Sequence, residues 1–159
     1  MHTLTQSQKN SGLSRKRESE PATPSLMKTI LYVEDDEHDV FFLKRAFGTH
    51  APEWRVQNVH SIDEAIDYLR AAGGYSDRER FPAADLVVSD VSIPGGSGYQ
   101  LLDWVKEHTE LGRLPFILLT GAVQRDEFEK ATVSGADCCF EKSTDFKELI
   151  SKAQRLLET

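Results

Sequence analysis

Long apolar runs are missing from this sequence. Nothing in it approaches the roughly 20 consecutive apolar residues that a membrane-spanning helix needs, and the N-terminus has no apolar stretch of the signal-peptide kind. Cysteine is scarce, with two in 159 residues. They are neighbours, Cys138 and Cys139, which excludes a disulfide framework and a spaced zinc-ligand set. Adjacent side chains on a strand point to opposite faces, so the pair reads as two separate small core or surface residues. Lys142 is the one basic residue near them, too little to mark a redox-active thiol. Basic residues are outnumbered by acidic ones, 19 to 26, for a net charge of −7, which argues against DNA or RNA as a direct partner. Internal repeats are absent. The expectation is a cytoplasmic protein of a reducing compartment with no membrane anchor.

What is present suffices for one domain: 39% of the residues are hydrophobic and 28% charged, enough to bury a real core. Residues 1–26 stand apart. They hold Lys9, Arg15, Lys16 and Arg17 against Glu18 and Glu20, many Ser and Thr, two prolines and almost nothing to bury. That composition cannot offset the entropy of ordering a chain, so a disordered tail is predicted. It reads as a linker or an upstream extension, with a basic docking arm as the functional alternative. The folded unit is expected over residues 27–159.

From Met27 onward, strand and helix signals alternate five times. Ile30-Leu31-Tyr32-Val33 is a short apolar run, followed by acids and then by Val40, Leu43, Ala46 and Phe47 at helical spacing. Trp54 to Gln57 alternates like a half-exposed strand. Ser61 to Ala72 reads as a helix opened by a Ser61–Glu64 capping box and closed by Gly73-Gly74, with a polar loop to about Pro82. Leu86-Val87-Val88 is a third strand ending at Ser89-Asp90, and glycines 95, 96 and 98 make a turn into a helix with Leu101, Leu102 and Val105. Phe116 to Leu119 is a fourth strand ending at Thr120-Gly121. Phe128, Ala131 and Thr132 mark a helix stopped by Gly135. Cys138 to Glu141 is a fifth strand, and Phe146, Leu149, Ile150, Ala153, Leu156 and Leu157 stripe the last helix.

This alternation implies an α/β fold with a parallel sheet covered on both faces. Strands one, three and four are unbroken apolar runs, as central strands require, whereas two and five are mixed and suit the edges. Right-handed crossovers then favour the order 2-1-3-4-5, a doubly wound, flavodoxin-like (βα)5 arrangement. Its switch point opens a crevice at the carboxyl ends of strands one and three.

Polar residues end four of the strands: Glu34 and Asp35, then Asp90, Thr120 and Lys142. Three carboxylates in one crevice repel each other and should raise at least one pKa unless a cation joins them. Carboxylate oxygens and room for water suit Mg²⁺. Lys142 and the Thr120 hydroxyl could then bind the oxygens of an anion, with phosphate the obvious candidate and Asp90 as nucleophile. Each residue has a plainer reading. Acids that open a helix cap it and meet its dipole, and Asp36 and Asp39 are assigned to that role, while Glu34 and Asp35 are assigned to metal. Asp90 alone could begin a turn, Thr120 could bond backbone, and Lys142 could be solvated. Their joint placement at four strand ends is what sets them apart.

The segments Ile30 to Asp36, Asp90-Val91-Ser92-Ile93-Pro94-Gly95-Gly96-Ser97-Gly98, Leu118-Leu119-Thr120-Gly121, and Gly135-Ala136-Asp137 leading to Lys142 resemble the receiver domains of bacterial two-component response regulators. The resemblance spans Lys28 to Leu157. It implies that Asp90 accepts phosphate from a histidine kinase or phosphotransfer protein. Glu34, Asp35, Asp90 and the Ser92 carbonyl would serve Mg²⁺, with Glu34 acting mostly through water. Thr120, Lys142 and the backbone of Val91 and Gly121 would meet the phosphate. The loop Tyr75 to Pro82 is similar to that of small stand-alone regulators, including phytochrome-associated ones. No chemistry beyond the protein's own aspartyl phosphorylation and dephosphorylation is implied.

Three positions depart from the family pattern. Ser143 follows Lys142 where proline is usual, so a cis peptide is not expected. Cys139 stands where an aromatic switch residue usually sits. Ala122 offers no polar group to position an attacking water, so a phosphoryl lifetime of ordinary length is expected. After Lys142 there is room for one helix, so output is expected through binding a downstream protein or a second copy. A pseudo-receiver that binds partners without phosphorylation is the alternative. A haloacid-dehalogenase-type phosphatase would need a second Asp where Ser92 stands.

Overall fold

Short unbroken apolar runs become the middle of the sheet because only there are both faces covered. In the computed structural model, which describes residues 27–108, 110–121, 125–142 and 146–158, β1 (Thr29–Val33), β3 (Leu86–Asp90) and β6 (Phe116–Thr120) are buried along their whole length. The half-exposed β2 (Arg55–Val59) and β7 (Cys138–Glu141) take the edges. All neighbours are parallel and the order is β2-β1-β3-β6-β7, the flavodoxin-like arrangement expected from the alternation. The tail 1–26, Ala122 and Ser143 lie outside the described residues.

Period-two alternation divides each central strand between two cores. Leu31, Val33, Val87, Phe116 and Leu118 face α2 (Ile62–Arg70), α3 (Gly98–Glu107) and α4 (Arg125–Ser134). Ile30, Tyr32, Leu86, Val88, Ile117 and Leu119 face α1 (Glu37–His50) and α5 (Lys147–Glu158). The adjacent cysteines divide as expected, Cys139 buried in the first core and Cys138 packed on the second.

Several local expectations shift. A two-stranded hairpin, β4 (Ser92–Ile93) with β5 (Gly96–Ser97), forms where a simple turn was expected. The reciprocal capping box belongs to Ser97 and Gln100 at α3. At α2, Ser61 caps the Glu64 amide, but the Glu64 carboxylate accepts from the His60 amide and the Tyr75 hydroxyl instead of from Ser61. The helix ends at Arg70, with Ala71 left-handed (φ 55°) ahead of the glycines. The segment beyond it packs as a cluster of Tyr68, Tyr75 and Phe81 rings, centroids 5.0 to 6.1 Å apart. Arg78 lies over the Tyr68 ring and donates to the Phe81 and Leu69 carbonyls. On α4, Ala131 is buried but Phe128 and Thr132 are exposed, because a ten-residue helix lying over the sheet edge buries a narrow stripe. Phe146 is buried just ahead of α5, in the left-handed region (φ 41°), instead of on the helix.

Candidate functional site

Parallel strands deliver all their carboxyl ends to one edge of the sheet, and the strand-end polar residues meet there. Glu34 follows β1. Its amide donates to the Val59 carbonyl (3.0 Å), which extends the β1–β2 ladder by one residue and draws the side chain inward until it is 1% exposed. Asp90 closes β3 and is 6% exposed. Lys142 follows β7, held by donation from its amide to the Thr120 carbonyl at 2.8 Å.

The ammonium of Lys142 is the point on which the carboxylates converge. Its Nζ lies 2.8 Å from Glu34 Oε1, Asp39 Oδ2 and Asp90 Oδ2 alike. The other Asp90 oxygen, Oδ1, accepts from the Ser92 amide at 3.3 Å, and Glu34 Oε2 accepts from the Asp36 amide at 3.1 Å. Tyr32 donates its hydroxyl to Glu34 from below.

Asp39 corrects the sequence reading, which made it a helix cap beside Asp36. Asp36 alone caps α1, accepting from the His38 and Asp39 amides, and these two bonds hold its carboxyl below the usual aspartate value. Asp39 instead turns its carboxylate into the crevice. The signal was in its register: positions 39, 43 and 47 share one helical stripe, and Leu43 and Phe47 are the buried residues of α1. Asp39 is the member of that stripe nearest the strand ends.

The remaining predicted residues lie around this cluster. Thr120 ends β6 and is 7% exposed. Gly121 and Ser92 are exposed and Val91 is half-buried. The Val91 amide is committed to the Leu119 carbonyl at 2.8 Å, so the amide facing the Asp90 carboxylate is that of Ser92. Asp35 is exposed, and among the described residues its side chain has no hydrogen-bond or ion-pair partner. Gly98 must be glycine: a Cβ there would stand 2.5 Å from the Asp90 carbonyl oxygen and 2.9 Å from Leu118. Its amide bond to the Val91 carbonyl holds α3 against the end of β3.

Electrostatics follow from this packing. Burial pushes the Glu34 carboxyl above the ordinary 4.5, Asp90 adds to the rise, and the bonds from Lys142 and the Asp36 amide offset only part of it. Burial alone would lower the pKa of Lys142, but hydrogen bonds to Asp39, Asp90 and Glu34 outweigh it and hold the ammonium above the usual lysine value. Burial, followed by the charges of Glu34, Asp39 and Asp90, raises the Tyr32 hydroxyl, which therefore stays protonated. The site thus holds one fixed cation among an excess of carboxylates.

Among the described residues no three of His, Cys, Asp and Glu are gathered closely enough to hold a metal ion; Lys142 stands where they would meet. The donor set is nevertheless entirely oxygen, and among the described residues the carboxylate of Asp35 is uncommitted, which is the chemistry a hard divalent cation takes.

Comparison with known proteins places this geometry. Residues 30–154 match the family described as the response regulator receiver domain. The response regulator Rcp1 of Synechocystis is 25% identical over 127 residues, covering 80% of this chain and 84% of that protein. The solved structure of the phosphorylated cyanobacterial phytochrome response regulator RcpA superposes with a TM-score of 0.68 at 25% identity, over 83% of this chain and 92% of its own. The Mn²⁺-bound form of Rcp1 superposes with a TM-score of 0.66 at 25% identity, over 81% and 91%.

Proposed function

Because the chain belongs to the response regulator receiver domain family of two-component systems, we propose that it works as a single-domain regulator accepting a phosphoryl group on Asp90. The donor is a sensor histidine kinase or a phosphotransfer protein, and the output is altered binding of a downstream protein or a second copy of the chain. The observation that carries the reading is the contact of Lys142 Nζ with Asp90 Oδ2 at 2.8 Å, deep in an acidic crevice. Likeness to a phosphorylated regulator and to a Mn²⁺-bound one supports it.

In the transfer, a carboxylate oxygen of Asp90 attacks phosphorus. The O–P bond forms as the P–N bond of phosphohistidine breaks, and the imidazole nitrogen keeps the electron pair and is reprotonated from solvent. Lys142 donates to the phosphoryl oxygens once Asp90 has become an acyl phosphate and no longer offers a full carboxylate charge. Thr120 and the amides of Gly121 and Ser92 supply further donors; the Val91 amide, bonded to the Leu119 carbonyl, is not among them. Glu34, Asp35, Asp90 and the Ser92 carbonyl would hold Mg²⁺, which when bound neutralises charge between carboxylate and phosphoryl oxygens. The proposed location is the cytoplasm; no helix of the described residues is long and apolar enough to cross a membrane.

Intact-mass measurement after treatment with acetyl phosphate and Mg²⁺ tests the proposal. Wild type gains one phosphoryl group and Asp90→Asn gains none. An unmodified wild type would leave the chain as a binding module that works without phosphorylation.

A further inference from the structure

Lys142 has three N–H donors, and each is spent on a different carboxylate: Glu34, Asp39 and Asp90, all at 2.8 Å. Two of these acceptors, Glu34 and Asp90, belong to the donor set assigned above to a divalent cation. Oxygens that serve a metal are weaker acceptors for an ammonium, and the two cations repel each other. Lys142 would therefore be driven out of the crevice at the moment it is needed, unless something outside the metal set holds it.

Asp39 is that group. It comes from α1, not from a strand end, and it approaches Lys142 from the helix side. Its own amide is tied to the Asp36 cap, and the stripe it shares with Leu43 and Phe47 is anchored in the core, so its position does not depend on Lys142. Its carboxylate is one-third exposed and the Lys142 side chain 19% exposed; water can relax around the pair without dissolving it. We propose that Asp39 is the positioning residue for Lys142, keeping the ammonium in the crevice while Glu34 and Asp90 serve a divalent cation. This rests on the metal-assisted reading given above. On it, Asp39 would keep the ammonium on the α1 side of the crevice while Glu34, Asp35 and Asp90 would be left to serve the metal. An acid in the first turn of a helix could instead be there only to meet the helix dipole, and that plainer role makes no prediction about Lys142.

The test reads Lys142 itself. The full-length protein is labelled with acetic anhydride with and without saturating Mg²⁺, and modification of Lys142 is followed by peptide mass spectrometry; calorimetry measures Mg²⁺ binding separately. In wild type, Lys142 labels slowly and Mg²⁺ does not change its rate. In Asp39→Asn, Mg²⁺ still binds but speeds labelling of Lys142 about fivefold, the loss expected for one charge-assisted bond near the surface. Asp39→Glu restores protection, and Asp39→Ser serves as a second, smaller truncation. Mg²⁺-insensitive labelling in both truncations would overturn the proposal and leave the proposed function standing. Loss of Mg²⁺ binding in folded Asp39→Asn would make Asp39 a ligand and overturn it as well. Absence of Mg²⁺ binding by wild type would overturn the metal reading and this proposal together.

Discussion

Lys142 and Asp90, 52 residues apart in the chain, meet at 2.8 Å between Nζ and Oδ2. The contact joins the end of β7 to the end of β3 across the intervening strand β6.

Lys142→Met should destabilise the fold by about 3 kcal/mol at neutral pH, because it leaves Glu34, Asp39 and Asp90 without their shared cation. The pKa of Lys142 is raised on folding, so its contribution is complete at neutral pH and is lost only as the pH rises through that raised value. On the acid side the variant's deficit should shrink, since Glu34, whose carboxyl already titrates high, then takes up a proton and needs no partner. Urea unfolding of both proteins between pH 4 and 8 measures this; a deficit that does not change with pH would contradict it.

Glu34→Gln should behave in the opposite way. A carboxyl whose pKa is raised by burial stabilises the fold only below its unfolded value, near 4.5, and that contribution is lost as the pH rises through the folded value. The amide variant should therefore match or exceed the wild-type Tm at pH 7, with its advantage vanishing at pH 4. Calorimetric binding of Mg²⁺ should weaken at the same time, since one donor oxygen of the site has lost its charge.

Gly98→Ala places a methyl group 2.5 Å from the Asp90 carbonyl oxygen. Backbone cannot yield as a flexible side chain can, so a cost of about 1–3 kcal/mol is expected. The displaced β3–α3 junction should also slow modification of Asp90 by acetyl phosphate. A variant with wild-type stability and rate would show that the junction moves freely.

Tyr99→Phe removes the hydroxyl that donates to Glu127 and so links α3 to α4. Lys130 lies 4.4 Å from the centre of the same ring and keeps that contact in the variant. The expected loss is about 1–2 kcal/mol in urea unfolding, from the bond itself and the stranded Glu127 acceptor. Nothing in the spacing of residues 99 and 127 announces this link; Tyr99 and Cys139 belong to one core, and the pair becomes visible only when α3 and α4 are docked.

The architecture was legible in the sequence because its causes are local. Apolar runs at 30–33, 86–88 and 116–119 mark central parallel strands, and mixed runs mark edges; the strand order follows from right-handed crossovers. Parallel connection puts every strand end on one side, so Glu34, Asp90, Thr120 and Lys142 could be grouped before any distance was known. The Glu64 carboxylate was misassigned because Tyr75, from a loop that looked merely polar, competes for it with Ser61. The left-handed turn fell at Ala71 for a related reason, since the packing of Tyr68, Tyr75 and Phe81 decides where the helix must stop.

By itself the sequence determined the alternation of elements, the faces they bury and the edge where charge collects, since periodicity and apolar length act over a few residues. Which carboxylates Lys142 meets was left to the tertiary structure. Asp39 and Lys142 are 103 residues apart, and their meeting depends on how deeply α1 packs onto the sheet through Leu43 and Phe47, a matter of the whole core's shape.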